Sequence, residues 1–105
     1  MFKFIKIQKK PYRGSLFFFE QFKYPKEYHQ HNDTNYIKTG KLISIEKKLS
    51  DDKLEMTTTM VWRSRKDFIS YVTDPYVYGF LMQSRDYEID NDITIDVVIE
   101  KDDNE

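Results

Sequence analysis

Read from its first residue, the chain runs through extended and helical signals in one order: strand, helix, strand, strand, helix, strand. That order restricts the fold more than any other feature. Residues 2–8 (FKFIKIQ) are β-formers with apolar side chains of both parities, Phe2 and Phe4 on one face and Ile5 and Ile7 on the other, which predicts a strand buried on both sides. Lys10-Pro11-Tyr12-Arg13-Gly14 reads as a turn or loop. Residues 15–24 (SLFFFEQFKY) have no decisive period, and read either as a short strand or as an irregular aromatic segment over the sheet. Pro25 suits a first helical position, Glu27 a first turn and Gly40 a stop, so a helix is expected over about 25–38. Its apolar stripe is thin, Tyr24, Tyr28 and Ile37 with His31 on the same side, and the weak helix formers at 32–35 predict fraying or a break there.

Residues 41–63 read as a hairpin. With Ser50-Asp51-Asp52-Lys53 as a four-residue loop, Leu49 pairs with Leu54, Ile45 with Thr58 and Ile43 with Met60, and on the reverse face Lys48 meets Glu55 and Leu42 meets Val61. Ser64-Arg65-Lys66-Asp67 has capping-box spacing, followed by Phe68, Tyr71 and Val72 at helical intervals. Asp74-Pro75 interrupts this helix and supplies a new cap and first residue, so a kinked or double helix is expected, its second face Val77, Phe80 and Leu81. After a turn at 90–92, residues 93–100 (ITIDVVIE) alternate as a strand with Ile93, Ile95, Val97 and Ile99 on a buried face.

This is an α+β arrangement, the ferredoxin-like β-α-β-β-α-β unit: an antiparallel sheet with helices on one face, a single domain over residues 1–100 with an acidic tail at 101–105. The other sheet face is left bare, with Trp62, Met60 and Ile43 among the apolar groups to be covered. A second copy closing a barrel across a two-fold axis is the economical cover, so a homodimer is expected.

Composition excludes several function classes. There are no cysteines, so neither disulfides nor thiolate chemistry is available. No apolar run approaches the roughly 18 to 20 residues needed to cross a bilayer, and the first ten residues alternate Lys with Phe and Ile, so a cytoplasmic protein without membrane partners is expected. Net charge is −1, divided between residues 1–50, with 11 Lys and Arg against 4 Asp and Glu, and residues 51–105, with 6 against 14. Basic and acidic strands are expected to interleave in one sheet or meet across a dimer. A nucleic-acid face from Lys3, Lys6, Lys9, Lys10 and Arg13 would need a net basic domain, so no nucleic-acid partner is expected.

The strand ending in Trp62, the cap Ser64, the aromatic Phe68, the Asp74-Pro75 step and the run from Arg85 and Tyr87 to Ile93 resemble the antibiotic-biosynthesis-monooxygenase-like group of dimeric α/β barrels over about residues 41–98. The resemblance implies the same dimeric barrel. Members of that family include oxygenases that oxidise polycyclic phenols without metal or flavin, haem-degrading enzymes, and many proteins with no known reaction, so the resemblance does not choose among them. Trp62 matches the family position that lines the substrate cavity, with plain core packing as the bland alternative. Haem degradation needs a proximal His on the second helix, and no His follows residue 31.

The residues themselves point to an apolar pocket. The run Phe17-Phe18-Phe19 with Phe22 suggests a lid or wall, or else completes the core. Phe18, Phe19, Phe22, Tyr28, Trp62, Phe68 and Tyr71 are the expected walls, with His31 or an Arg at the mouth. His31 and Tyr71 are the catalytic candidates, as a base and a phenol. Tyr71 and Tyr87 with Arg63 or Arg85 can place a phenol and a cation at the mouth. On a helix His29 and His31 point about 200° apart, so no metal site is expected. No cofactor is implied either. The expected ligand is a hydrophobic small molecule, a fatty acid or flat aromatic with one polar head. The alternatives are a cofactor-free oxygenase and a structural or regulatory dimer whose cavity is filled by side chains.

Overall fold

The computed structural model describes residues 1–10 and 24–101. Strands β1 (Phe2–Lys9), β2 (Leu42–Leu49), β3 (Glu55–Trp62) and β4 (Thr94–Lys101) form one antiparallel sheet in the order β2-β3-β1-β4. Between β1 and β2 lies helix α1 (Lys26–Asn32), and between β3 and β4 lie α2 (Arg65–Val72) and α3 (Pro75–Asp90). This is the expected α+β ferredoxin-like fold.

The breaks fall where local chemistry places them. α1 passes at Asp33–Ile37 into a π-helical turn, with the Lys38 amide bonded to the Asp33 carbonyl five residues back. The Asn35 side chain donates to the His31 carbonyl at 2.8 Å, competing for the acceptor an α-helix would use. The wider turn rotates Tyr36 inward, where it is buried. Ser64 Oγ accepts the Asp67 amide at the start of α2, Asp74 accepts the Tyr76 amide at the start of α3, and Pro75 follows as its first residue. α3 ends with Asp92 left-handed, the Ile93 amide bonded to the Glu88 carbonyl and the Asp92 amide to that of Ile89. Ile93, just past this stop, is buried.

The hairpin differs from expectation. Leu49 pairs with Met56 and Ile45 with Met60, two residues along from the predicted register; Lys48 faces Thr57 and not Glu55. The turn's own side chains cause this: Ser50 Oγ donates to Asp52, Asp52 accepts the Leu54 amide, and Lys53 takes a left-handed conformation, so Leu54 belongs to the loop. A shift of two preserves the faces. An irregularity at Ile43 then breaks the alternation, so that Leu42 lies opposite Trp62 and is buried while Ile43 is exposed.

Register assigns the two sheet faces. Phe2, Phe4, Lys6 and Gln8 share the helix-covered face with Trp62, Met60, Thr58 and Met56 on β3 and with Leu42, Ile45, Lys47 and Leu49 on β2. Trp62 and Met60 therefore do not belong to the bare face. Trp62 is fully buried, packed edge-on against Phe68 and Tyr36 and tilted against Tyr71. The other face carries Ile5, Ile7, Val61 and Val98. On β4, Val97 and Ile99 share the helix side yet stand half exposed, because this edge lies beyond the reach of α3 among the described residues. The charge division is used within the sheet, where basic β1 meets acidic β4 through Lys3–Glu100 (3.6 Å) and Lys9–Asp96 (3.3 Å).

Candidate functional site

On the helix side, a cavity of about 360 Å³ lies between α1 and the β1-β3-β2 portion of the sheet, and an adjoining space of about 720 Å³ continues along α1 towards Ile37 and Leu42. Both volumes suit a small organic ligand. The floor is three sheet rows, set by register: Ile45, Met60 and Phe4; Lys47, Thr58 and Lys6; and Met56 with Gln8. The walls are Tyr24, Tyr28 and His29 from the α1 side, Tyr71 from α2 and Ser84 from α3.

Two polar clusters frame this space. In the first, Glu88 is almost wholly buried, accepts from Gln8 Nε2 at 2.7 Å and pairs with Lys6 Nζ at 3.2 Å. A buried carboxylate needs such partners, since an isolated one costs several kcal/mol. Ser84, one turn earlier on the same stripe of α3, bonds the Tyr24 hydroxyl. Burial pushes Tyr24 up to about 12, against the lowering effect of that hydrogen bond, so the phenol stays protonated.

The second cluster is tyrosine-rich. The Tyr28 and Tyr71 hydroxyls bond each other, and burial, followed by neighbouring Tyr28, raises Tyr71 far above the ordinary phenol range. Asp74 collects the Tyr36 hydroxyl at 2.6 Å, His31 Nε2 at 2.7 Å and the Tyr76 amide at 2.9 Å. Desolvation raises the Asp74 pKa, but the hydrogen bonds from Tyr36, His31 and the Tyr76 amide outweigh it and hold the carboxyl below its usual value. Tyr36 is raised, by burial first and then by donating to that carboxylate. Protonated phenols of this kind can donate hydrogen bonds; none is set up to be a base at neutral pH.

The structure thus brings Tyr28 and Tyr71 to the cavity. His31 sits beside it, bonded to Asp74 and stacked on Tyr76 at 4.4 Å. Trp62 and Phe68 lie a layer away in the core, with Phe68 against Phe2 and Phe4. Phe18, Phe19 and Phe22 fall outside the described residues. Arg63 makes a two-pronged contact with Asp67 (2.8 and 3.1 Å) and does not line the cavity; nor do Arg85 and Tyr87. Among the described residues no group of three or more His, Asp or Glu could hold a metal ion. Sequence reasoning missed Tyr24, His29, Lys47, Ser84 and the buried Glu88. A signal existed: Ser84 and Glu88 follow Val77 and Leu81 on one helical stripe, and Lys6 and Gln8 share the parity of Phe2 and Phe4, so polar residues occupy inward positions.

No family model matches the chain, and no curated protein does. Among solved structures, it is similar to a Mycobacterium tuberculosis protein (12% identity, TM-score 0.63, 100% of this chain and 98% of that one). A candidate antibiotic biosynthesis monooxygenase of Nitrosomonas europaea is comparable, at 17% identity and TM-score 0.62 over 97% of this chain and 98% of that one. A dimeric ferredoxin-like protein from an uncultured marine organism aligns at 9% identity and TM-score 0.56 over 94% and 92%. Identities this low speak for the fold alone, and by fold the chain is similar, over nearly its whole length, to antibiotic-biosynthesis-monooxygenase-like and dimeric ferredoxin-like proteins.

Proposed function

We propose that this chain is a homodimeric small-molecule-binding protein whose cavity takes an acyl chain or a flat aromatic ligand bearing one polar head. The observation that carries this reading is the cavity itself: Phe4, Ile45, Met56 and Met60 provide apolar floor, and the Tyr24, Tyr28 and Tyr71 hydroxyls provide a few donors above it. The raised phenol pKa values favour holding a ligand over deprotonating one, which ranks binding ahead of cofactor-free oxygenation. The homodimer rests on the open sheet face. Ile5, Ile7, Val61 and Val98 share it, the ring and ion-pair contacts of the helices fall on the opposite face, and solved proteins of this fold are described as dimeric. Covering such groups is worth roughly 25 cal/mol per Å² of apolar area.

Native mass spectrometry of the purified protein reads both parts, with a dimer mass and any carried ligand expected. Titration with fatty acids and polycyclic phenols should shift the fluorescence of Trp62, whose ring lies 5.1 Å from that of Tyr71 on the cavity wall. A monomer at micromolar concentration refutes the dimer; no response to either ligand class refutes the binding reading and leaves a structural dimer in its place.

A further inference from the structure

The middle row of the cavity floor is cationic. Thr58 pairs with Lys6 on one side and with Lys47 on the other, and all three face the helix side and line the cavity. Lys6 and Lys47 are two strands apart, so their backbones stand roughly 10 Å from each other, within reach of one ligand head for side chains of this length. Their charges are not balanced. Lys6 is neutralised by Glu88 at 3.2 Å, whereas Lys47 has no carboxylate partner among the described residues. The other described groups lining this space, Tyr24, Tyr28, Tyr71, Ser84, Gln8 and His29 with Thr58, supply hydroxyls, an amide and an imidazole but no acid; in the adjoining space Lys26 adds a cation, and Asp33 is paired with Lys38 at 3.4 Å. Desolvation first, and the like charge of Lys6 second, pull the Lys47 ammonium below its ordinary pKa. An anion at this point favours the charged ammonium and so offsets both effects.

Resting on the binding reading above, we infer that the ligand is a monoanionic amphiphile, a carboxylate whose head is held by Lys47 and whose apolar body lies along Ile45, Met60 and Phe4. On the cavity floor, Lys47 is the one cation without a carboxylate partner among the described residues, and it matches one negative charge. The apolar row directly beside Lys47 and Thr58 places the body of such a molecule next to its head. Lysine suits this role as a compact point charge with three donors, needing no fixed bidentate geometry.

The test compares matched pairs on the full chain at neutral pH by titration calorimetry: decanoate with decanol, and 2-naphthoate with 2-naphthol. In at least one pair the carboxylate should bind about tenfold or more tightly than its neutral partner, as a charge-assisted contact predicts. Lys47→Gln should remove most of that preference by weakening the carboxylate far more than its neutral partner, and Lys47→Arg should retain it. Circular dichroism of both variants checks that the fold is kept. Equal affinity for acid and alcohol in both pairs, or a preference that survives in Lys47→Gln, overturns the inference and leaves the binding reading standing. No binding of any of the four probes overturns both.

Discussion

Asp74 joins the start of α3 to the α1 segment through one side chain, which makes Asp74→Ala a sharp perturbation. One carboxylate oxygen caps α3 through the Tyr76 amide, and the other ties that helix to the α1 segment through Tyr36 and His31. Loss of the cap costs about 1 kcal/mol. The Tyr36 hydroxyl belongs to a buried residue and keeps only a long contact to the Ser70 carbonyl at 3.4 Å, so its loss adds about 1.5 kcal/mol. The His31 contact is partly exposed and adds about 0.5 kcal/mol after solvent screening. The sum is about 3 kcal/mol, and at about 4 °C per kcal/mol for a domain of this size the melting temperature should fall by about 12 °C. Asp74→Asn keeps the capping acceptor but puts a donor amide where the oxygen accepts from Tyr36 and His31, so it should lose about 2 kcal/mol, about 1 kcal/mol less than Asp74→Ala.

The acid limb separates charge from cap. Because the native carboxyl is held below its usual value, its stabilisation is complete above the unfolded-state pKa of about 3.9 and is lost as pH falls through the native value. Thermal melts by circular dichroism at fixed protein concentration should therefore show the parent losing stability below about pH 4 more steeply than Asp74→Asn. An Asp74→Ala protein melting within about 2 °C of the parent, or parallel acid limbs for parent and Asp74→Asn, would refute the reasoning.

Glu88→Leu should cost about 3 kcal/mol in urea unfolding because it leaves Gln8 and Lys6 without their acceptor, while Lys3→Gln, which breaks the exposed pair with Glu100, should cost under about 1 kcal/mol; equal effects would show the Glu88 cluster to be unimportant. Trp62→Ala should cost about 3–5 kcal/mol, since the ring is fully enclosed, and the parent's emission should be blue-shifted and shielded from iodide quenching until the protein unfolds. Val98→Asp places a charge on the open sheet face, and sedimentation should find a folded monomer; an unchanged dimer would remove that face from the interface.

The residues near one another in sequence were legible from it. Ser64 and Asp74 as caps, Pro75 as a first helical residue, the weak stretch at 32–35 that becomes a π turn, and the parity of β1 are consequences of hydrogen bonds and side-chain periods acting within about five residues. They determine the element order. Tyr28 and Tyr71 were also readable as inward-facing aromatics.

What the tertiary structure decided is everything that depends on partners far away in the chain. The hairpin register turned on how Ser50 and Asp52 close their loop, and one irregularity at Ile43 exchanged it for Leu42 in the core. Glu88 reads as a helix-surface acid until Gln8, 80 residues away, meets it, and Lys6 and Lys47 become one row only when β3 lies between them. The physical reason is that local propensity is set by neighbours within a turn or two. Whether an inward polar or charged group is tolerable depends instead on satisfaction of its hydrogen bonds and charge by residues that only folding brings within 3 Å.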